Sequence, residues 1–293
     1  MDWSPGYREL APPAALRGSV SCLWIGVAPP GEDRTTVVLP DACVDLIWER
    51  GKGAYVAGPD SGPAPATSPP GTIMAAVRFA PGAAGPALGI PMTALLNERV
   101  DVADLGRGPA AGLARRLPGS LDPEMAVRLL TELAGAMTDE GPPDALTAEA
   151  ARLLARPPVR AETVADHLGV SERQLRRRCQ ASVGYGPATL RRVLRFRRFV
   201  SWADAGRGRG HLASGGGDPA SAGADLAQVA FDLGYADQAH LTRECVRLAG
   251  VTPATLVAAR PRPSPPAPAA APATDPGRGE PGEYHSVRSA YKM

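Results

Sequence analysis

Two short segments hold the side chains best suited to chemistry with a polyanion. Laid out at about 100° per residue, residues 172–183 place Leu175 and Cys179 on one face and Glu172, Arg173, Arg176, Arg177 and Gln180 on the other. Residues 238–249 place Leu241 and Cys245 on one face, with Gln238, Ala239, Thr242, Arg243 and Val246 opposite. Arginine can donate two hydrogen bonds to guanine, glutamine can pair with adenine, and alanine or threonine can pack on a thymine methyl group. Those are the side chains a helix needs in a DNA major groove. Arg178 falls at the flank of the first face, where a phosphate contact or a structural ion pair is expected. His240 borders the second face at the edge of the core. An arginine-rich helical face is by itself more often a solvated surface, so the surrounding elements have to decide.

Catalytic chemistry is poorly supplied. The histidines are His167, His211, His240 and His285, and none lies in residues 1–166. A facial triad of two histidines and a carboxylate, or a local Ser-His-Asp triad, therefore cannot be built there. Asp41, Asp45 and Glu49 offer oxygen ligands, but their spacing matches no compact calcium loop. Cys22, Cys43, Cys179 and Cys245 have no close pairing that could clamp zinc and are expected as small, reduced core residues. No catalytic residue, metal or cofactor is expected, and the chain does not read as an enzyme.

The length of 293 residues allows one large domain or two ordinary ones, and 44% hydrophobic with 21% charged residues suits a protein with a real core. A formal net charge of +2 conceals an asymmetry. Residues 1–158 sum to −5, residues 159–200 to +7, and residues 201–293 to zero. The excess positive charge thus sits in the segment that holds the first arginine face, where a polyanion would bind. No stretch approaches the roughly 18 apolar residues of a membrane span. The opening MDWSPGYREL has neither the basic patch nor the apolar run of a signal peptide. A cytoplasmic protein with no membrane partner is expected.

The two faces belong to a repeat. Val164-Ala165 and Leu168-Gly169 recur 65 residues later as Val229-Ala230 and Leu233-Gly234. The offset then becomes 66, returning Leu175, Cys179, Gly184 and Pro187 as Leu241, Cys245, Gly250 and Pro253. Each copy reads as helix, turn, helix. Gly169 ends the first helix of copy one, and Ser171 with Gln174 forms a capping box for the second. In copy two Gly234 and Asp237 take the corresponding places. A short turn between two short helices, repeated, with basic and polar free faces, fits a pair of DNA-reading helix-turn-helix units. Val193, Phe196, Val200 and Ala203 keep helical spacing in a bridging helix whose Arg191, Arg192, Arg195 and Arg198 should meet phosphates or form ion pairs.

ETVADHLGVSERQLRRRCQASVGYGPATLRRVLRFRR, with DLAQVAFDLGYADQAHLTRECVRLAGVTPATL after it, resembles the DNA-binding domain of AraC/XylS-type transcriptional regulators over residues 145–260. The resemblance implies two helix-turn-helix motifs joined by one helix and inserted into successive major grooves of double-stranded DNA. It places base reading on Arg173, Arg176 and Arg177, and on Gln238, Ala239, Thr242 and Arg243, in agreement with the faces above, to which Gln180 is added. Arg178, Arg191 and Arg192 are the phosphate-contact candidates. The chain departs from the pattern at Cys179 and Cys245, where the family has a large aromatic, and at a Gly-rich insert over residues 206–223 with 7 glycines. In the family the bridging helix runs almost directly into the second motif.

Upstream the pattern changes. Val37–Leu39, Val44–Trp48 and Met74–Phe79 are strand-like runs between Gly/Pro-rich turns. The expected fold class is α+β, with a β-rich sandwich or partial barrel over residues 1–120, a helical linker over 121–144 and an all-α double helix-turn-helix domain over 145–260. The segment from Pro40 to Trp48 and Arg78-Phe79 resembles sensor-like domains of one branch of the same regulators. This implies effector sensing or dimerisation, with Asp41, Asp45, Trp48 and Arg78 as effector candidates. A homodimer and a contact with RNA polymerase are further partners of such a regulator. The Pro-rich stretch from residue 261 to 293 is expected to be disordered. The competing expectation is a small-molecule-binding protein with only weak, unspecific DNA contact.

Overall fold

Short β-branched and aromatic runs bounded by Gly/Pro turns form eight strands in the computed structural model, which describes residues 3–106, 112–156, 159–205 and 219–260. They are β1 (Gly6–Leu10), β2 (Val20–Val27), β3 (Arg34–Val38), β4 (Val44–Glu49), β5 (Gly53–Ala57), β6 (Ala64–Ser68), β7 (Ile73–Phe79) and β8 (Arg99–Asp101). Six build one antiparallel sheet in the order β1-β2-β7-β4-β5-β8, and β3 pairs with β6 as a separate two-stranded ribbon. The chain is thus α+β, a β-rich N-terminal part followed by helices.

The pleat gives this sheet two different faces, because successive side chains point to opposite sides. Leu46, Trp48, Val56, Val77 and Phe79 are fully buried on one side and join a core with Leu88 and Leu130. The helices beside this core are α1 (Ala84–Leu88), α2 (Leu113–Arg116) and α3 (Pro123–Glu140). Helix α3 starts at Asp122, whose carboxylate accepts from the Glu124 amide at 2.9 Å, and has Pro123 in its first turn. Its Ala126, Val127, Leu130, Leu133, Ala134 and Met137 recur on one stripe and belong to the sheet's own cluster. The segment expected as a helical linker is therefore a packed layer of the N-terminal core.

The other sheet face holds a small cluster of Cys22, Trp24, Ile47 and Ala76, with Tyr7, Tyr55 and Met74 against it. A third cluster is helical. It draws on α4 (Ala145–Leu154), α5 (Ala161–His167), α6 (Glu172–Val183), α7 (Pro187–Asp204), α8 (Pro219–Asp232), α9 (Gln238–Ala249) and α10 (Pro253–Ala258). Leu39 and Ala42, from the turn before β4, are buried in this helical cluster, so the two halves share apolar contacts. Of the expected glycine-rich insert, residues 206–218 lie outside the described residues, and Pro219 to Gly223 open α8 instead. The Pro-rich 261–293 segment also lies outside them. Among the described residues no helix is long and apolar enough to cross a membrane.

Candidate nucleic-acid interface and the N-terminal pocket

Helices α5 and α6 meet through a turn in which Gly169 takes φ +66 and Ser171 caps α6. The Gln174 amide donates to Ser171 Oγ at 3.2 Å, and the Ser171 amide donates to Gln174 Oε1 at 3.0 Å, closing the capping box. In the second unit Gly234 takes φ +78, and Asp237 accepts from the His240 amide at 2.6 Å to start α9. Leu175, Cys179, Leu241 and Cys245 are all buried, which fixes the rotation of α6 and α9. Arg173, Arg176 and Arg177 are exposed on α6, with Gln180 half-buried. On α9 Ala239 and Arg243 are exposed, while Gln238 and Thr242 are half-buried and the Thr242 hydroxyl donates to the Gln238 carbonyl at 3.0 Å. Val246 is 48% exposed on the same side. A groove beside α6 runs between Arg173, Arg176 and the start of α7.

The remaining cations are partly committed within the fold. Arg178 Nη1 lies 2.9 Å from Asp144 Oδ1, the carboxylate that also caps α4, so of its two expected roles the ion pair is the one formed here. Arg191 donates to the Val159 carbonyl at 3.1 Å. Arg192 Nε is 3.4 Å from Glu244 Oε1 and stays a third exposed. Arg195 reaches further in. It pairs with Glu244, donates to the Gly234 carbonyl at 3.0 Å and stacks its guanidinium 4.2 Å from the Tyr235 ring centre. His240 sits edge-on to Tyr235 at 5.4 Å and 3.2 Å from Arg195 Nη2, placing it in this structural cluster. Glu244 was not singled out from the sequence. An acidic residue two turns into a basic helix carries no signal until α7 is packed against it.

The second site is a cavity of about 490 Å³ between the sheet's outer face and the β3–β6 ribbon. Its floor follows from register. Cys22, Arg78 and Asp45 stand side by side on β2, β7 and β4; one rung on come Trp24, Ala76, Ile47 and Tyr55. Ala76, between Trp24 and Ile47, is buried with them in one cluster. Arg78 forks onto Asp45, with Nε to Oδ1 and Nη2 to Oδ2 both at 2.9 Å. Asp41 lies 3.6 Å and Glu9 3.4 Å from the same guanidinium, and Trp24 Nε1 donates to Asp45 Oδ2 at 2.9 Å. Burial works against the Arg78 charge, but Asp45 and Asp41 outweigh it and hold its pKa well above the usual value. Burial pushes the Glu9 carboxyl up, against the opposing pull of the Tyr7 hydroxyl and Arg78.

Three of the four effector candidates, Asp41, Asp45 and Arg78, come together in this pocket wall. Trp48 does not. It is fully buried on the opposite face of β4, and its indole donates to the Pro118 carbonyl at 2.9 Å. Strand alternation puts Asp45, Ile47 and Glu49 toward the cavity and Leu46 and Trp48 toward the core. The aromatics of the pocket, Tyr7, Trp24 and Tyr55, are passed over by sequence reasoning. So are Asp60 and Arg99 at the ribbon end, paired at 2.7 Å. Glu49, weighed as a cation ligand with Asp41 and Asp45, is paired with Lys52 at 2.6 Å.

Residues 8–101 match a family model described as a domain of unknown function, DUF6597. Among curated proteins none matches the chain. Solved structures with a similar trace include ToxT from Vibrio cholerae O395, at 11% identity and a TM-score of 0.41, covering 80% of this chain and 96% of that one. A 1.65 Å form of ToxT from Vibrio cholerae has a TM-score of 0.40, also at 11% identity, over 80% and 97% of the two chains. Unsaturated fatty acid-bound wild-type ToxT from Vibrio cholerae strain SCE256 has a TM-score of 0.39 and 11% identity, over 82% and 96%.

Proposed function

We propose that this chain is a sequence-specific, DNA-binding transcriptional regulator of the AraC/XylS type, with an N-terminal pocket that takes a small-molecule effector. The observation that carries the proposal is the duplicated helix-turn-helix. Two units with matching left-handed glycines and side-chain caps each turn an apolar face inward and a basic or polar face to solvent. Arg176 and Arg177 on α6 supply guanine-reading forks, and α9 offers Gln238, Ala239, Thr242 and Arg243 for a mixed sequence. Phosphate attraction from the +7 segment would dock the protein, and the two faces would choose the site.

The pocket supports the effector half of this reading. Trp24, Ile47, Tyr55 and Met74 give it an apolar floor, and Arg78 and Arg99 already have counter-ions in Asp45 and Asp60. A largely apolar, ring-bearing molecule could enter without stripping a partner from a buried charge.

The test uses the full chain at about 0.15 M salt with fragmented genomic DNA, comparing the best-retained duplex with its scrambled sequence. A regulator holds the former on the order of 10³-fold more tightly or better. Equal affinities would return the chain to the competing reading, a small-molecule binder with unspecific DNA contact.

A further inference from the structure

One segment of the N-terminal part, buried at its start, runs past the ends of both α6 and α9. It follows β5 and runs from Gly58 to Pro63. Gly58, Pro59 and Asp60 are buried, and a Cβ on Gly58 would stand 1.7 Å from the Leu95 carbonyl oxygen, so this backbone is pressed flat against residues 95–99. Two backbone hydrogen bonds lock the two stretches together, from the Gly58 amide to the Glu98 carbonyl at 2.9 Å and from the Asn97 amide to the Pro59 carbonyl at 3.0 Å. The Ser61 amide donates to Asn97 Oδ1 at 2.8 Å. Asp60 and Arg99 close the block with two hydrogen bonds of 3.1 and 2.7 Å. Gly58, Asp60 and Arg99 all line the 490 Å³ cavity.

The outer side of this block meets the ends of α6 and α9 at equivalent places in the repeat. Gly184 and Gly250, 66 residues apart, are the left-handed C-caps of the two helices, with φ +89 and +74. A Cβ on Gly184 would lie 2.8 Å from Pro59 Cγ and 3.0 Å from the Met92 carbonyl oxygen. One on Gly250 would lie 3.9 Å from Pro63 Cγ, and one on Gly62 would lie 3.8 Å from the Arg247 carbonyl oxygen. The first helix end is closely abutted, whereas at the second a side chain added at Gly250 or Gly62 would only just come into ordinary contact.

We propose that residues 58–63, braced by residues 92–99, form a strut that couples the effector pocket to the relative placement of the two reading helices, with the Asp60–Arg99 pair as its pocket end. The inference rests on the function proposed above and adds the route of its regulation. A molecule that engages Asp60 or Arg99 moves a block that has no slack at Gly58, and that block bears on the end of α6 and runs beside the end of α9, so it would shift one helix against the other. Two packed elements with fixed contacts transmit such a shift without any change inside either helix.

Hydrogen exchange on the free, full-length chain tests the strut without DNA, so its result does not depend on whether a DNA site exists. With Asp60→Asn, exchange in peptides spanning residues 181–186 and 247–252 is expected to rise together, by about threefold or more, while β2 is unchanged. With Pro63→Gly, exchange rises at 247–252 alone. Pro63 is exposed and belongs to neither core, so this variant keeps the test open should Asp60→Asn not fold. Changes confined to residues 58–63 and 95–101, or equal changes at both helix ends with Pro63→Gly, would overturn the strut and leave the DNA-reading proposal standing.

Discussion

The Arg195 guanidinium and the Glu244 carboxylate form an ion pair between α7 and α9, with only 12% and 9% of their side chains exposed. Arg192 leans on the same carboxylate, and Tyr235 covers Arg195 from the side. The pair therefore sets how α9 sits on α7. Removing one member leaves the other charged and buried, which costs about 3–5 kcal/mol. Glu244→Ala is expected to lower unfolding free energy by that amount in urea titrations. A loss within 1 kcal/mol, of the size typical for a surface pair, would show that Arg195 is free to serve DNA phosphates.

Arg176→Ala and Arg243→Ala act on exposed side chains and should leave stability nearly unchanged. Each is expected to cost roughly 1–3 kcal/mol on the preferred duplex and to relax choice at one base. Binding measured against single-base variants of that duplex separates the roles. Uniform weakening on all sequences would assign the residue to phosphate.

What could be read from the sequence was local. Ser171 with Gln174, Gly169, Gly234 and Asp237 act within a few residues of themselves, and all take the places their types dictate. The strand-like runs at β3, β4 and β7 were visible for the same reason. Strand β2 was not, because all six of its residues after Ser21 are buried, on both faces, and show no alternation. Trp48 was visible as a residue and misjudged as a site, although counting by twos from Asp45 already turns it away from the pocket. Trp24, Asp60 and Arg99 were beyond reach, since they join the pocket only through the register of β2 with β7 and of β5 with β8.

The four cysteines should be chemically quiet in the folded chain. Burial pushes the thiols of Cys22, Cys179 and Cys245 up to about 12, and raises Cys43 as well. Since the thiolate is the nucleophile, iodoacetamide near pH 8 should label the native protein slowly and all four sites once urea unfolds it. Rapid labelling of one cysteine in the folded state would expose a reactive site that burial denies.

Glu9 gives a pH dependence of definite sign. Burial raises its folded-state pKa above the ordinary glutamate value of 4.5. The native state then binds a proton that the unfolded chain releases, so this group's contribution is full below the unfolded pKa and is lost as pH rises through the folded one. Relative to wild type, Glu9→Gln should therefore gain stability as pH rises from the ordinary glutamate range toward neutrality in urea titrations. A constant difference across that range would mean that the Tyr7 hydroxyl and Arg78 together offset the burial of Glu9 completely.

The most direct test of the central claim is selection from a random duplex library with the full-length chain at about 0.15 M salt. If both α6 and α9 read bases, the recovered sequences contain two short conserved blocks with centres about 10–11 base pairs apart. A single block would confine reading to one helix, and recovery of no preferred sequence would contradict the account.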